Sequence, residues 1–276
     1  MEKEKRAEDL HVPVLLDQVL SVFEGRKLKV YVDGTLGMAG HSCAIYDQQR
    51  ESIEKLVGID QDVIAMEHAR KRLSEAGCEN SMLLRGNFGD MGKLLGDAGI
   101  QPGTVDGILL DIGTSSMQLD DASRGFSFMR DGPLDMRMDT SSPLTAAEIV
   151  NTWPEEDLAK IIYEYGEEKK SRSIAKKIVA AREVKPIMTT LELSDILGGN
   201  KPKIFIKGRK AGLHPATLTF QALRIAVNRE LNVWPPNTSL FPFPPPFCLI
   251  PTASSICIIA ASLTNISSPP PLSSSS

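Results

Sequence analysis

Residues 28–40 read LKVYVDGTLGMAG, an apolar run rich in β-forming residues that stops at Asp33 and Gly34. A run of this kind followed by a glycine turn is typical of a buried parallel strand that ends at a loop. The glycines recur with the spacing G-x-x-G-x-x-G, which differs from the dinucleotide fingerprint G-x-G-x-x-G. Glycines in such a turn let the backbone approach a ligand and supply N–H donors to it.

Three further segments follow the same pattern, and each predicted strand is followed by polar residues. They are 55–59 before Asp60, 81–84 before Arg85-Gly86-Asn87, and 105–110 before Asp111. Residues 62–76, between the predicted strands at 55–59 and 81–84, have helical spacing that places Ile64, Ala65, Ala69 and Leu73 on one face. Strands that alternate with helices predict an α/β, Rossmann-like doubly wound parallel sheet, whose ligand site lies at the carboxyl ends of the strands.

From residue 141 onward the pattern becomes helical. Helix starts are predicted at Thr145-x-x-Glu148, Pro154 and Thr189-x-x-Glu192. Residues 201–210, KPKIFIKGRK, carry five positive charges and no negative charge, and an amphipathic helix resumes over 214–231. The predicted organisation is a disordered start at 1–10, a ligand-binding core at 11–140, a helical insert at 141–212 and a return helix of the core at 213–232.

The last 44 residues differ in composition from the rest of the chain. Residues 233–276 contain ten of the 18 prolines and ten serines, but no charged residue and no glycine. Ten prolines prevent a regular helix, and disordered tails are usually charged. We therefore interpret 233–276 as a low-complexity end that is unstructured or prone to aggregation.

The overall composition excludes several classes of protein. The net charge of −4 gives no bulk attraction to phosphate or to anionic membranes, so nucleic-acid contacts require a local basic patch. The four cysteines form no CxxC pair, which argues against a zinc site or a disulfide framework, and Cys43 and Cys78 are expected to be buried. No apolar stretch is long enough to span a bilayer. We therefore expect no metal and no membrane partner.

Two residues that follow strands are candidates for binding an adenosine. Asp60 lies 20 residues after Gly40, where a carboxylate can accept hydrogen bonds from both hydroxyls of a ribose. Phe88 follows the third strand and can lie against an adenine ring, although a single phenylalanine is more often a core residue. For Asp60 the structural alternative is a solvated aspartate at a strand end.

Two loops combine residues that suit binding. Residues 111–118, DIGTSSMQ, leave the fourth strand with an acid, three hydroxyls and an amide, an unusual density of acceptors unless they form side-chain turns. Residues 124–139 interleave aromatic residues with Arg124, Arg130 and Arg137, a mixture that can stack on a base and pair with phosphate. The alternative for the second loop is that Phe126 and Phe128 tether it to the core while its charges form ion pairs.

Together these motifs resemble the MraW family. The segments that carry the resemblance are HVPVLL at 11–16, VDGTLGMAGHS at 32–42, GILLDIGTSSMQ at 107–118, RGFSFMRDGPLDMRMD at 124–139 and HPATLTFQALRIAVNREL at 214–231. Members of this family are S-adenosylmethionine-dependent methyltransferases that act on N4 of a cytosine in the decoding region of small-subunit ribosomal RNA. The resemblance runs from His11 to Asn232.

The resemblance implies a set of cofactor-binding residues, and the clustered acceptors and basic residues are candidates for the catalytic and RNA-binding roles. S-adenosylmethionine would be held by Ala39, Gly40, His41, Asp60, Phe88, Asp111 and Gln118. Asp111, Ser115 and Ser116 would accept hydrogen bonds from the cytosine amine and so localise its lone pair on nitrogen. Catalysis would then come mainly from positioning the amine against the methyl group. RNA would be bound by Arg124, Arg130, Arg137, Lys207, Arg209 and Lys210. Met117 stands where many bacterial members have proline.

After Asn232 the sequence departs from the family, which continues with strands that complete the sheet. We expect those strands to be missing here, which would leave the fourth strand as an exposed edge. The alternative function is therefore a truncated, inactive fragment that binds the cofactor or RNA, and a more distant one is an NAD-dependent oxidoreductase. The protein would act in a plastid or mitochondrion if eukaryotic and in the cytoplasm if bacterial.

Overall fold

The computed structural model describes residues 13–199 and 214–231, together with the backbone of 247–251 and 256–261. The chain divides into two compact units, one of residues 1–113 with 233–276 and one of 114–232. Within the described residues, no helix is long and apolar enough to cross a membrane.

The first unit is a sheet flanked by helices. Its parallel strands are β1 (Val30–Asp33), β2 (Lys55–Asp60), β3 (Ser81–Arg85) and β4 (Gly107–Ile112), and its helices are α1 (Leu16–Phe23), α2 (Gly40–Gln49), α3 (Val63–Glu75) and α4 (Met91–Asp97). The strand order β3-β2-β1-β4 places the switch point of the topology between β1 and β4. The predicted α/β, Rossmann-like fold class is confirmed.

Alternation along the strands builds a core on each face of this sheet. Tyr31 and Leu56 pack with Phe23 and Ile45 on one face, while Val32 and its neighbours pack with α4 on the other. Helix α3 begins at Asp62, whose carboxylate accepts the N–H of Ile64. The buried face of α3 contains Ala65, Met66, Ala69 and Leu73, so the placement of Ile64 on that face was wrong: its exposed fraction is 46%.

Two further strands extend the sheet beyond β4. Strand β6 (Ile256–Ala261) pairs antiparallel with β4, and β5 (Phe247–Pro251) pairs antiparallel with β6. The expectation that β4 is an exposed edge was therefore wrong, as was that of a wholly unstructured end. The physical reason is that these two short apolar runs satisfy the hydrogen-bonding groups that β4 would otherwise leave unpaired.

The second unit is helical. Its helices are α5 (Ser116–Asp120), α6 (Ala146–Thr152), α7 (Glu155–Glu164), α8 (Ser171–Val184), α9 (Thr190–Ile196) and α10 (Thr217–Asn228). The predicted starts are present, and Thr189 and Glu192 form a complete capping box at α9.

This unit takes in residues 114–140 and helix α10, both of which the sequence analysis assigned to the ligand-binding core. The reason lies in packing, because Phe126, Leu134 and Met136 are buried in one cluster with residues of α6 to α10. The side chain of Asn228 in α10 also joins the loop, accepting the N–H of Met138 and donating to the carbonyl of Met136.

Candidate functional site

Three strands of the first unit bring an aspartate to the same edge of the sheet. Asp33 ends β1, Asp60 ends β2, and Asp111 is the last but one residue of β4. The carboxyl ends of parallel strands form the ligand-binding edge of this fold, and β1 and β4 flank the switch point. The sheet therefore gathers acidic side chains at the place where a ligand is expected.

The loop that follows β1 supports this edge. A Cβ on Gly34 would strike the side chain of Leu110, and one on Gly40 would lie 2.7 Å from Pro13 Cγ, so these two glycines serve close packing within the protein. Gly37 differs, because its φ is +51° and a Cβ there would meet nothing closer than the carbonyl of Thr35 at 4.0 Å. The loop is open at Gly37, the central glycine of the three.

Asp60 is hydrogen-bonded to backbone on either side. Its Oδ2 accepts the N–H of Gly37 at 2.7 Å, and its Oδ1 accepts the N–H of Asp62 at 2.8 Å. Burial raises the pKa of Asp60, while those two N–H groups oppose the rise. No cation of the described residues forms an ion pair with Asp60, so this carboxylate keeps acceptor capacity for hydroxyl donors.

Asp33 is a buried acid that the sequence analysis did not assign to the site. Its Oδ2 accepts the hydroxyl of Ser42 at 2.6 Å, and its Oδ1 accepts the N–H of Thr35 at 3.2 Å. Burial raises the pKa of Asp33 to about 6, against the lowering effects of Ser42, His41 and Thr35. The available signal was an acid directly before a glycine at the end of a buried strand.

Asp111 is linked to the loop through its backbone and faces a histidine. Its N–H donates to Thr35 Oγ1 at 2.6 Å, and its Oδ2 lies 3.9 Å from His41 Nδ1. The other ring nitrogen of His41, Nε2, lies 3.0 Å from the carbonyl of Val14. Because a carbonyl only accepts, Nε2 carries a proton, and Nδ1 is the nitrogen that faces Asp111.

The residues Ala39, Gly40 and His41 form the start of α2. Ala39 is the N-cap residue in a left-handed conformation, with φ of 59°, and makes no side-chain capping bond. The first N–H groups of a helix have no acceptor within the helix, which makes this start suitable for an acceptor group of a ligand. His41 itself is buried, with an exposed fraction of 8%.

Phe88 lies in a short 3₁₀ turn, Phe88–Asp90, beyond the end of β3. It is half-buried and packs against the cluster that includes Met91 and Ile59. Asn87 fixes the turn, because its side chain accepts the N–H of Gly89. Phe88 thus packs partly as a core residue and keeps part of its surface exposed.

Ser115 and Gln118 stabilise the start of α5 in the second unit. Ser115 Oγ accepts the N–H of Gln118 at 3.2 Å, and Gln118 Oε1 accepts the N–H of Ser115 at 3.1 Å. This capping box occupies the hydroxyl oxygen of Ser115, which the sequence analysis nominated as a catalytic acceptor. Ser116 is the first residue of the helix and is half-buried.

The three arginines of the loop 124–139 donate hydrogen bonds within the second unit. Arg124 donates to the carbonyls of Arg137 and Met138, and Arg130 donates to the carbonyl of Asp120. Arg137 donates two hydrogen bonds to the carboxylate of Asp135 and also donates to the carbonyls of Thr140 and Ser142. Arg137 thus forms an ion pair within the loop, as the structural alternative expects, while Arg124 donates to backbone carbonyls. A role of the three arginines in binding RNA stays a prediction.

Other predicted residues fall into two groups. Lys207, Arg209 and Lys210 lie outside the residues that the structure describes. Cys43 and Cys78 are buried free thiols, and burial raises the pKa of each to about 11, as expected for structural cysteines. In the described part of the chain, no group of His, Cys, Asp and Glu is arranged to hold a metal ion.

Comparison with known proteins agrees with this architecture. Residues 8–237 match the model of the MraW methylase family. Proteins named ribosomal RNA small subunit methyltransferase H are 51% identical over 222 residues in Geobacter sulfurreducens and 50% identical over 223 residues in Deinococcus deserti. The alignments cover 80% and 81% of this chain and 69% of each relative.

Among solved structures the likeness is weak. An SAH-bound methyltransferase from Podospora anserina aligns over 90% of this chain and 77% of its own, at 11% identity and a TM-score of 0.31. A likeness at that level adds nothing to the description of the site.

Proposed function

The chain belongs to the MraW methylase family, and from that premise we propose that it transfers a methyl group from S-adenosylmethionine to N4 of a cytosine in small-subunit ribosomal RNA. The observation that carries the proposal is the set of aspartates at the carboxyl edge of the parallel strands, above all Asp60 and Asp111. The membership removes the NAD-dependent oxidoreductase as an alternative. The protein would act in the compartment that holds its ribosomes.

The residues at the sheet edge fit S-adenosylmethionine. Asp60 is a desolvated carboxylate with capacity for the two hydroxyls of a ribose, and the loop is open at Gly37 beside it. The uncapped start of α2, at Ala39 to His41, offers N–H groups to a carboxylate. Phe88 is half-buried, and the part of it that is accessible suits contact with an adenine. By family resemblance we assign Gln118 a role in holding the cofactor.

When bound, S-adenosylmethionine supplies an electrophilic methyl group on a positively charged sulfur. The amine of cytosine is a weak nucleophile, because its lone pair is delocalised into the ring. An Asp111 carboxylate that accepts an N–H of the amine localises that lone pair on nitrogen and can take up the proton released on transfer. Thr35 Oγ1 accepts the backbone N–H of Asp111 and so helps to position this residue.

Ser116 is the second candidate acceptor for the amine. The oxygen of Ser115 already accepts a backbone N–H in its capping box, which reduces what it can offer to a substrate. We therefore assign the main role to Asp111 and a supporting role to Ser116.

The test is a methylation assay with the 1–276 chain, small-subunit ribosomal RNA and S-adenosylmethionine that carries a labelled methyl group. We expect labelled N4-methylcytidine after digestion of the RNA to nucleosides. Asp111→Asn should lower kcat about 100-fold, because a positioned proton acceptor contributes roughly 10²–10⁴-fold. Ser115→Ala is the matched comparison, with a smaller effect on kcat.

Three outcomes would contradict the proposal. A label on another base or position would show that the substrate site is different. Saturable binding of S-adenosylmethionine without any methylated product would identify the chain as a binding protein of this family. An Asp111→Asn variant with the kcat of the parent would remove the assigned role of Asp111.

A further inference from the structure

Helix α8 carries a basic face in the second unit. The sequence over 169–177 is KKSRSIAKK, and it contains no acidic residue. The five cationic side chains of this segment are exposed, two just before α8 and three within it: Lys169, Lys170, Arg172, Lys176 and Lys177. Ala175 and Ile178 on the opposite side of the helix are fully buried. The basic face, defined as these five residues, is therefore fixed outward by the packing of the helix.

Among the residues that the structure describes, these five cations have no partner. Throughout 13–199 and 214–231, none of them forms an ion pair or donates a side-chain hydrogen bond to another described residue. Other cations of the same unit are paired, since Lys185 contacts Glu192 and Arg224 makes a two-point contact with the buried Glu230. Their charge is thus available to a ligand.

Like charges lie close together along the basic face. Arg172 and Lys176 are four residues apart on the helix, a spacing at which like charges repel. The start of α8 is already met by an acid, because Glu168 Oε1 accepts the N–H of Lys170 at 2.8 Å. An anionic partner would therefore act on the basic face by relieving the repulsion between its cations.

We propose that the basic face binds the phosphate backbone of the RNA substrate, an inference that rests on the proposed function. Charge complementarity selects this partner, because the chain as a whole has a net charge of −4 and the face is a local exception. A protein partner is disfavoured, since the exposed positions of 169–177 carry no aromatic or large apolar anchor. Backbone contacts position the RNA and leave the choice of base to the methylation site.

The predicted RNA-binding arginines of the loop 124–139 differ from the basic face in their partners. Arg124 and Arg137 donate hydrogen bonds to carbonyls and to a carboxylate of their own loop. Within the described residues the cations of the basic face have no such partners, so we expect them to add electrostatic contacts to any that those arginines make.

The experiment compares two triple variants of equal net charge. The first is Arg172→Gln, Lys176→Gln and Lys177→Gln on the basic face. The control is Lys27→Gln, Lys29→Gln and Lys93→Gln, which removes three exposed charges from the first unit. Glutamine is a good helix former, so α8 is retained, which circular dichroism checks. Binding to purified small-subunit ribosomal RNA is measured from 0.1 to 1 M salt, and S-adenosylmethionine affinity by calorimetry.

We expect the face variant to bind RNA about 100-fold more weakly at 0.1 M salt, with the difference vanishing near 1 M, because each phosphate contact contributes about 0.7 to the slope of log K against log salt. The control should change affinity less than about threefold, and both variants should bind S-adenosylmethionine as the parent does. Equal losses in the two variants would mean that only bulk charge matters and would overturn the proposal.

Further outcomes separate this inference from the proposed function. If the parent methylates RNA and the face variant binds RNA as tightly, the inference alone is wrong. If the face variant keeps its affinity for naked RNA but loses activity on assembled small subunits, the face binds a ribosomal protein instead. A parent chain that neither binds nor methylates RNA would overturn both proposals.

Discussion

The sheet edge of the first unit and the loop 124–142 of the second both concentrate charged side chains, and they differ in how those charges are neutralised. Asp33 is buried and accepts a hydroxyl and a backbone N–H, and the half-buried Asp60 accepts backbone N–H groups, but neither forms an ion pair with a described residue. Arg137 is matched by Asp135 and by two carbonyls. Although burial raises the pKa of Asp135, the hydrogen bonds from Arg137 bring it below its usual value.

The partners of a charged side chain within the fold distinguish a charge that serves binding from one that serves structure. A buried carboxylate without a cation lowers the stability of the fold, and such groups concentrate at functional sites. A matched pair such as Asp135 and Arg137 needs no ligand to explain it.

Asp60→Ala should abolish most of the affinity for S-adenosylmethionine. Two hydrogen bonds from hydroxyls to a charged acceptor contribute about 3 kcal/mol or more, so the Kd should rise at least about 100-fold. Calorimetric titration of the 1–276 chain measures the change.

The control for Asp60 is Asp90→Ala, which removes an exposed carboxylate of the same unit. Its Kd should stay within about twofold of the parent. Because Asp60 also holds the N–H of Gly37, thermal unfolding of both variants checks that the loop change has not unfolded the unit. Full affinity in a folded Asp60→Ala variant would remove the sheet edge from the binding site.

Asp33→Asn should change how stability depends on pH. Burial raises the pKa of Asp33 to about 6 from 3.8, so the unfolded chain loses this proton first as the pH rises. Ionisation of Asp33 therefore destabilises the folded state progressively between about pH 4 and 6. The variant should gain up to about 3 kcal/mol relative to the parent across that range.

Urea unfolding at pH 4 and pH 7 gives the measurement for Asp33. At each pH the free energy of unfolding of the parent is subtracted from that of the variant, and the two differences are compared. This comparison is needed because the substitution also alters the hydrogen bond from Ser42. Parallel pH profiles for the two proteins would mean that Asp33 is not a strained acid.

Arg137→Ala should lower the stability of the second unit by about 2 kcal/mol, because it removes charged hydrogen bonds and leaves the partly buried Asp135 without its partner. The midpoint of urea unfolding reports the loss. Affinity for S-adenosylmethionine should not change.

Arg130→Ala is the matched comparison in the same loop. Its exposed side chain donates to a single carbonyl, that of Asp120, so the expected loss is about 0.5 kcal/mol. If both arginine variants lose the same stability, the contrast between an arginine paired with a carboxylate and one bonded to a single carbonyl is not supported.

Much of the sheet could be predicted because its strands are short apolar runs that end in polar residues. The four parallel strands fall within a few residues of their predicted positions, and the helix starts at Thr145, Pro154 and Thr189 agree with the local capping signals. The face of α3 was less well predicted, since Met66 and not Ile64 is buried. Spacing defines a helical face only to within one residue, and packing decides the rest.

The sequence by itself determined the fold class, the family and the placement of acids at strand ends, because strand periodicity, glycine turns and capping residues act over a few neighbouring residues. Only the tertiary structure decided which charges are matched. Arg137 meets its carbonyls within its own loop, Ser115 closes a capping box, and Asp33 is buried beneath Ser42. The burial of a side chain and its distance from a partner depend on how segments far apart in the sequence pack together. The pairing of β6 with β4 is long-range in the same sense.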